Sequence, residues 1–270
     1  MHAASTGTST TPETPQAADS RPPEDVSAPT TTATSTTAAV HAVNMTKTID
    51  ERLILDRINF TIRPGQYVTL LGANGAGKST MLRILASLSQ PSRGKLTVFG
   101  HELTRASSPS LRARIGMIGH QPMLYRELAA VENLTFFGRL YGLPDARTRA
   151  MELLEYVGLA DRAGDPVKAF SRGMTQRVAI ARALMHEPDL LLADEPFAGL
   201  DAPSTRMVEL MLARLHDEGR TIILTNHDIT QSLRLAEHAL VLHGRRIALD
   251  EPTADLDPEE VLKKVGWTSC

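Results

Sequence analysis

Nine consecutive residues carry the plainest chemistry in this chain: Gly72, Ala73, Asn74, Gly75, Ala76, Gly77, Lys78, Ser79 and Thr80. They fit the spacing G-x-x-x-x-G-K-[ST], after an apolar run and before a helical pattern. The glycines let a loop turn tightly and aim backbone N–H groups inward. A helix opening near Lys78 adds its positive end, so the segment is built to hold phosphates. Lys78 is placed to reach the β- and γ-phosphates of a nucleotide, and the Ser79 hydroxyl to ligate Mg²⁺. A second element is the apolar run 190–193, which ends in two adjacent carboxylates, Asp194 and Glu195. Asp194 suits the acid that holds Mg²⁺ through its water shell. Glu195 suits the base that orients or deprotonates an attacking water. A guanine reader of the form Asn-Lys-x-Asp is missing, and the D-x-x-G match at Asp161–Gly164 is short enough to be chance.

These groups need a frame. Short apolar runs at 67–71, 190–193, 221–225 and 239–242 read as buried parallel strands. Amphipathic helices lie between them; in 206–215 the apolar residues Val208, Met211, Leu212 and Leu215 follow the helical repeat. The expected fold class is α/β, a parallel sheet with helices on its faces. Residues from about 122 to 170 break the alternation and read as helices only (131–141 and 146–157), an inserted helical subdomain.

Composition sets the outer limits. The 270 residues carry 29 Lys+Arg and 31 Asp+Glu, a net charge of −2, which argues against nucleic acid as a partner. The single cysteine, Cys270, excludes an internal disulfide and a multi-cysteine zinc site. No run approaches the ~18 apolar residues of a membrane-spanning helix. Residues 1–40 differ from the rest: Thr, Ser, Ala and Pro fill 29 of 40 positions, with no aromatic. Such a segment cannot bury enough surface to offset its ordering entropy and is expected to be a solvated, disordered tail. It lacks the basic start and apolar run of a signal peptide, and its one Arg against four acids does not suit a transit peptide. The body is then 41–252, followed by a short, polar and peripheral extension, 253–270.

Between the phosphate loop and the acidic strand end lies Phe170-Ser171-Arg172-Gly173-Met174, followed by Thr175-Gln176-Arg177. This resembles the signature motif of ABC ATPases, Leu-Ser-Gly-Gly-Gln and a Gln-Arg pair. Further elements fall in the family's order. Gln121 resembles the Q-loop glutamine, Ala198-Gly199-Leu200-Asp201 the D-loop, and His227 the switch histidine. The resemblance spans nearly all of 41–252. It implies a P-loop NTPase (RecA-like) core with an antiparallel β subdomain and the helical insertion. It implies ATP and Mg²⁺ as cofactors, and hydrolysis to ADP and phosphate coupled to transport. It makes Gln121 a Mg²⁺ or water contact and a hinge, and His227 the sensor of the γ-phosphate. It makes Ser171 and Gly173 an anion site that faces the nucleotide of a second subunit in a head-to-tail dimer, a homodimer by expectation. On position alone, Ser171 is a helix cap for a helix near Met174, and His227 a satisfied strand-end histidine.

Three positions depart from the family's pattern. Met174 stands for the signature glutamine and Arg172 for the first signature glycine, and Arg172 either approaches the partner's phosphate or points to solvent. The position where the family stacks adenine on an aromatic falls on Ile49, and the first aromatic of the chain is Phe60. By resemblance the chain is a peripheral subunit on the cytoplasmic face of a membrane. A separate transmembrane permease would dock on the helical subdomain near Tyr125, while Phe136, Phe137 and Tyr141 are expected in the core. The run from Gly119 to Tyr141 looks like the ATPase of haem exporters for cytochrome c maturation. At lower match it resembles multidrug and polysaccharide exporter ATPases. A soluble, non-transport ABC ATPase is the rival class.

Overall fold

The computed structural model describes residues 38–104 and 108–265. In chain order the elements are β1 (Val40–Ile49), β2 (Arg52–Ile62), β3 (Tyr67–Gly72), α1 (Lys78–Leu85), β4 (Arg93–Val98), β5 (His101–Glu102), α2 (Pro109–Arg112) and β6 (Ile115–Ile118). Then follow α3 (Ala130–Leu140), α4 (Ala146–Tyr156), α5 (Arg172–Leu184), β7 (Leu190–Asp194), α6 (Ala202–Asp217), β8 (Thr221–Thr225), α7 (Ile229–Leu235), β9 (His238–His243), β10 (Arg246–Pro252) and α8 (Pro258–Val265).

The six-stranded sheet has the order β10-β9-β3-β8-β7-β6. Its five inner and distal strands are parallel, and β10 pairs antiparallel with β9. Every residue of β3, β7 and β8 is buried, which is why these strands are mostly apolar rather than alternating. One face packs on α3–α6 through residues such as Val178, Leu191 and Leu212. The other face packs on α1 and the four-stranded antiparallel sheet β2-β1-β4-β5 through Met45, Ile58 and Leu82. Arg246 pairs with Asp56, and Asp56 N–H donates to the Arg245 carbonyl, joining the two sheets at one edge.

Between β6 and β7 the described chain holds α3, α4 and α5 with two 3₁₀ turns and no strand beyond an isolated bridge. Fully buried Asn133 fixes the loop ahead of α3: its side chain accepts from Tyr125 N–H at 2.7 Å and donates to the Tyr125 carbonyl at 2.9 Å.

Three expectations need correction. Phe136 and Tyr141 are not core residues; they are 38% and 44% exposed. Phe136 forms an aromatic cluster with Tyr125 and Phe137, Tyr125 edge-on to Phe136 with centroids 5.3 Å apart, while Tyr141 stacks on His186 at 3.8 Å. Phe137 is half-buried beside the Arg182 guanidinium. The body also extends past 252: α8 seats Val261, fully buried, against Leu71, Ile229 and Val241. At the other end Ala39 and Val40 are fully buried, so the 1–40 tail is too long by at least two residues; its first 37 lie outside the described residues. Among the described residues no helix is long and apolar enough to cross a membrane.

Candidate functional site

Parallel strands deliver their C-terminal ends to one edge of the sheet, where loops can meet a ligand. Here β3 delivers the glycine-rich loop, β7 delivers Asp194 and Glu195, and β8 delivers Thr225, Asn226 and His227.

The loop 72–77 turns into α1 at Gly77, whose φ of 108° is a conformation that disfavours side chains. Space is tight too: a Cβ there would fall 2.8 Å from Leu55 Cδ2 of β2, and that side chain would have to shift. Ala73, Asn74, Gly75 and Ala76 form the bend, with Ala76 N–H donating to the Ala73 carbonyl. Thr80 lies in the first turn of α1. Lys78 is buried and folds back over the loop, donating from Nζ to the carbonyls of Gly72 (2.7 Å) and Ala73 (3.2 Å). Burial lowers its pKa, and the carboxylates of Glu195 and Asp194 oppose that shift.

Ser79 Oγ donates to Asp194 Oδ1 at 3.2 Å. The same oxygen accepts from Thr225 Oγ1 at 2.8 Å. Thr225 in turn accepts the Glu195 N–H at 3.0 Å. Glu195 has a φ of 54°, so the chain turns sharply after the strand. Its carboxylate points at His227, whose Nε2 lies 2.7 Å from Oε1. His120 Nδ1 is 3.9 Å from the other carboxylate oxygen. Gln121 is exposed in the same loop, just after β6.

These oxygens suit a hard cation: a hydroxyl and a buried carboxylate already converge within hydrogen-bond distance. Among the described residues no cluster of three His, Cys, Asp or Glu could hold a metal alone.

Ser171, Gly173 and Asp201 lie together on a different surface. The helix near Met174 begins two residues earlier than expected, at Arg172, with Ser171 Oγ accepting Met174 N–H at 3.2 Å. Gly173 is required by close approach: a Cβ would fall 2.2 Å from Ser204 Oγ and 2.7 Å from Ser204 Cβ of α6. Asp201 caps α6 by accepting Ser204 N–H at 2.9 Å, and hydrogen bonds from the Ser204 side chain and from that N–H lower its pKa. Arg172 is exposed, yet its guanidinium lies across the D-loop: a Cβ on Gly199 would be 2.4 Å from Nη1.

Three residues at the nucleotide edge escaped sequence reasoning. Thr225 was visible only as the end of an apolar run; the β7–β8 register puts it opposite Asp194. His120 and Asn226 carry no motif beyond lying next to Gln121 and His227.

Residues 55–198 match the family model described as ABC transporter. The Nod factor export ATP-binding protein I of Cupriavidus metallidurans is 37% identical over 226 residues, 83% of this chain and 74% of that protein. The linearmycin resistance ATP-binding protein of Bacillus subtilis is 36% identical over 217 residues, 79% of this chain and 70% of that one. Among solved structures, a dimeric ATP-binding cassette in a post-hydrolysis state bound to ADP and Pi aligns with a TM-score of 0.71 and 30% identity. That alignment covers 79% of this chain and 98% of the other.

Proposed function

The chain belongs to the ABC transporter ATPases, and we propose that it powers export by a separate transmembrane permease, using Glu195 and His227 to hydrolyse MgATP. The observation that carries this reading is the convergence of Lys78, Ser79, Asp194, Glu195 and His227 on one sheet edge.

In this reading the loop from Gly72 to Thr80 binds the phosphates, its N–H groups and the α1 N-terminus facing their charge. Lys78 leaves the Gly72 and Ala73 carbonyls for the phosphate oxygens, which return a full counter-charge to a buried ammonium. Ser79, Asp194 and Gln121 would hold Mg²⁺, which neutralises charge on the phosphates when bound. Glu195 accepts the proton of the attacking water, and His227, hydrogen-bonded to its Oε1, fixes the carboxylate and faces the γ-phosphate. Ser171 and Gly173, at the N-terminus of α5, face the nucleotide of a second copy across a head-to-tail dimer, and Asp201 lies beside them.

The exposed aromatic pair Tyr125 and Phe136 supports a docking role for the segment after Gln121, because exposed apolar clusters mark interaction sites. The location at the cytoplasmic face of a membrane follows from such a partner. The domain division, with the insertion at about 122–170, belongs to the same reading. As to cargo, relatives named for Nod factor export and linearmycin resistance favour the multidrug or polysaccharide type of exporter. They give no support to haem export, which rested on the run from Gly119 to Tyr141.

A tagged chain, purified from detergent-solubilised membranes of its own cell, tests the reading. A multi-spanning membrane protein is expected in stoichiometric amount. Recovery of ribosomes or DNA-repair proteins in its place would overturn it.

A further inference from the structure

Behind the Glu195–His227 pair lies a carboxylate with no part in the scheme above. Glu209 sits in the middle of α6 and is only 5% exposed. A buried carboxylate is costly unless it is fully hydrogen-bonded. Glu209 is: Oε1 accepts from Gln231 Nε2 at 2.8 Å and Arg234 Nη2 at 2.5 Å, and Oε2 from Arg206 Nη1 at 3.2 Å. Burial alone would raise its pKa; the bonds from Gln231, Arg206 and Arg234 outweigh that and hold it low.

The consequence runs along the amides. A carboxylate can only accept, so Gln231 must turn its NH₂ toward Glu209 and its oxygen away. That oxygen accepts Asn226 Nδ2 at 2.7 Å. Asn226 then presents its own oxygen to the His227 backbone N–H at 2.8 Å. Every donor and acceptor in the series has one sense, set at Glu209. The series ends at the residue whose imidazole lies 2.7 Å from Glu195 Oε1. A cleft of about 540 Å³ runs along it, lined by Glu195, His227, Asn226, Gln231 and Glu209 among others. Near its other end α6 is capped by Asp201 of the D-loop.

We propose that Glu209, Gln231 and Asn226 are positioning residues for His227: the α6 carboxylate orients the two amides, and these set the switch-loop backbone that aims the imidazole at Glu195. The proposal rests on the hydrolytic roles given to Glu195 and His227. A mere staple between α6 and α7 would matter for folding and not for turnover.

Gln231→Met separates the two, since it keeps chain length and approximate volume and removes both the donor and the acceptor of the side-chain amide. Steady-state ATPase, ATP affinity and thermal melting are measured on the full chain. The expected result is a kcat fall of about ten-fold with KM and Kd for ATP within about two-fold of the parent, the pattern of a misaimed catalytic group. Asn226→Ser, which cannot reach Gln231, gives the same split and serves if Gln231→Met does not fold. An unchanged kcat with a lowered Tm overturns the proposal, as does a raised KM at constant kcat. A parent chain that does not hydrolyse ATP overturns the activity reading itself, and this proposal with it.

Discussion

Thr225→Val removes one oxygen at the meeting point of the two acidic residues. The hydroxyl is fully buried, donates to Asp194 Oδ1 at 2.8 Å and accepts Glu195 N–H at 3.0 Å. Valine has the same branched shape, so packing is kept and the loss is polar. A hydrogen bond to a charged acceptor contributes about 1.5–3 kcal/mol. The second loss is small, because Glu195 N–H keeps the Thr225 carbonyl at 3.2 Å. Asp194 also keeps its bond from Ser79. The net destabilisation is about 2 kcal/mol, a fall in Tm of about 4–8 °C for a domain of this size. Turnover should fall as well, about ten-fold, because Asp194 and the Glu195 backbone lose their common anchor. Calorimetry and a phosphate-release assay on the same preparation read both. A Tm within about 1 °C of the parent and an unchanged kcat would refute the reasoning that Thr225 holds the site together.

Three further outcomes are expected. With the adenine position at Ile49, as the family resemblance implies, an exposed aliphatic side chain replaces an aromatic that would add about 1–3 kcal/mol of stacking, so ATP and GTP Kd values should differ by less than about ten-fold. Isothermal titration reads this directly. Gly173→Ala would place a methyl 2.7 Å from Ser204 Cβ, forcing the α5 N-terminus off α6, with about 1–3 kcal/mol lost in melting experiments. Burial holds the His186 pKa below its ordinary value, helped by Arg182 and opposed by a hydrogen bond to the Ile115 carbonyl. The unfolded chain therefore takes up that proton first as pH falls below about 6.5, so stability declines with acidity there, and His186→Gln should flatten that part of the Tm–pH curve.

Much of this arrangement was legible in the chain. The strands β3, β7 and β8 are short apolar runs with nothing to alternate against, because helices or a second sheet cover both faces. The phosphate loop carries its own geometry in its glycines. The rest depends on contacts between distant segments. Thr225 meets Asp194 only through the parallel register of two strands separated by the whole of α6. Arg172 lies over Gly199 because α5 and α6 pack at their N-termini, which no local pattern encodes. Phe136 and Tyr141 read as core because aromatics usually are, yet α3 turns them outward and gives Ala130, Leu134 and Gly138 to the interior. The polar look of the C-terminal stretch hid one apolar residue, Val261, that seats α8.

The most direct test of the account is ATP turnover by Glu195→Gln beside the parent, with nucleotide binding and oligomeric state followed in MgATP. The carboxylate alone is changed, and Lys78, Ser79 and the loop that binds phosphate are untouched. The account predicts that hydrolysis is lost while ATP stays bound and the chain is trapped as a dimer. Hydrolysis at the parental rate would contradict it.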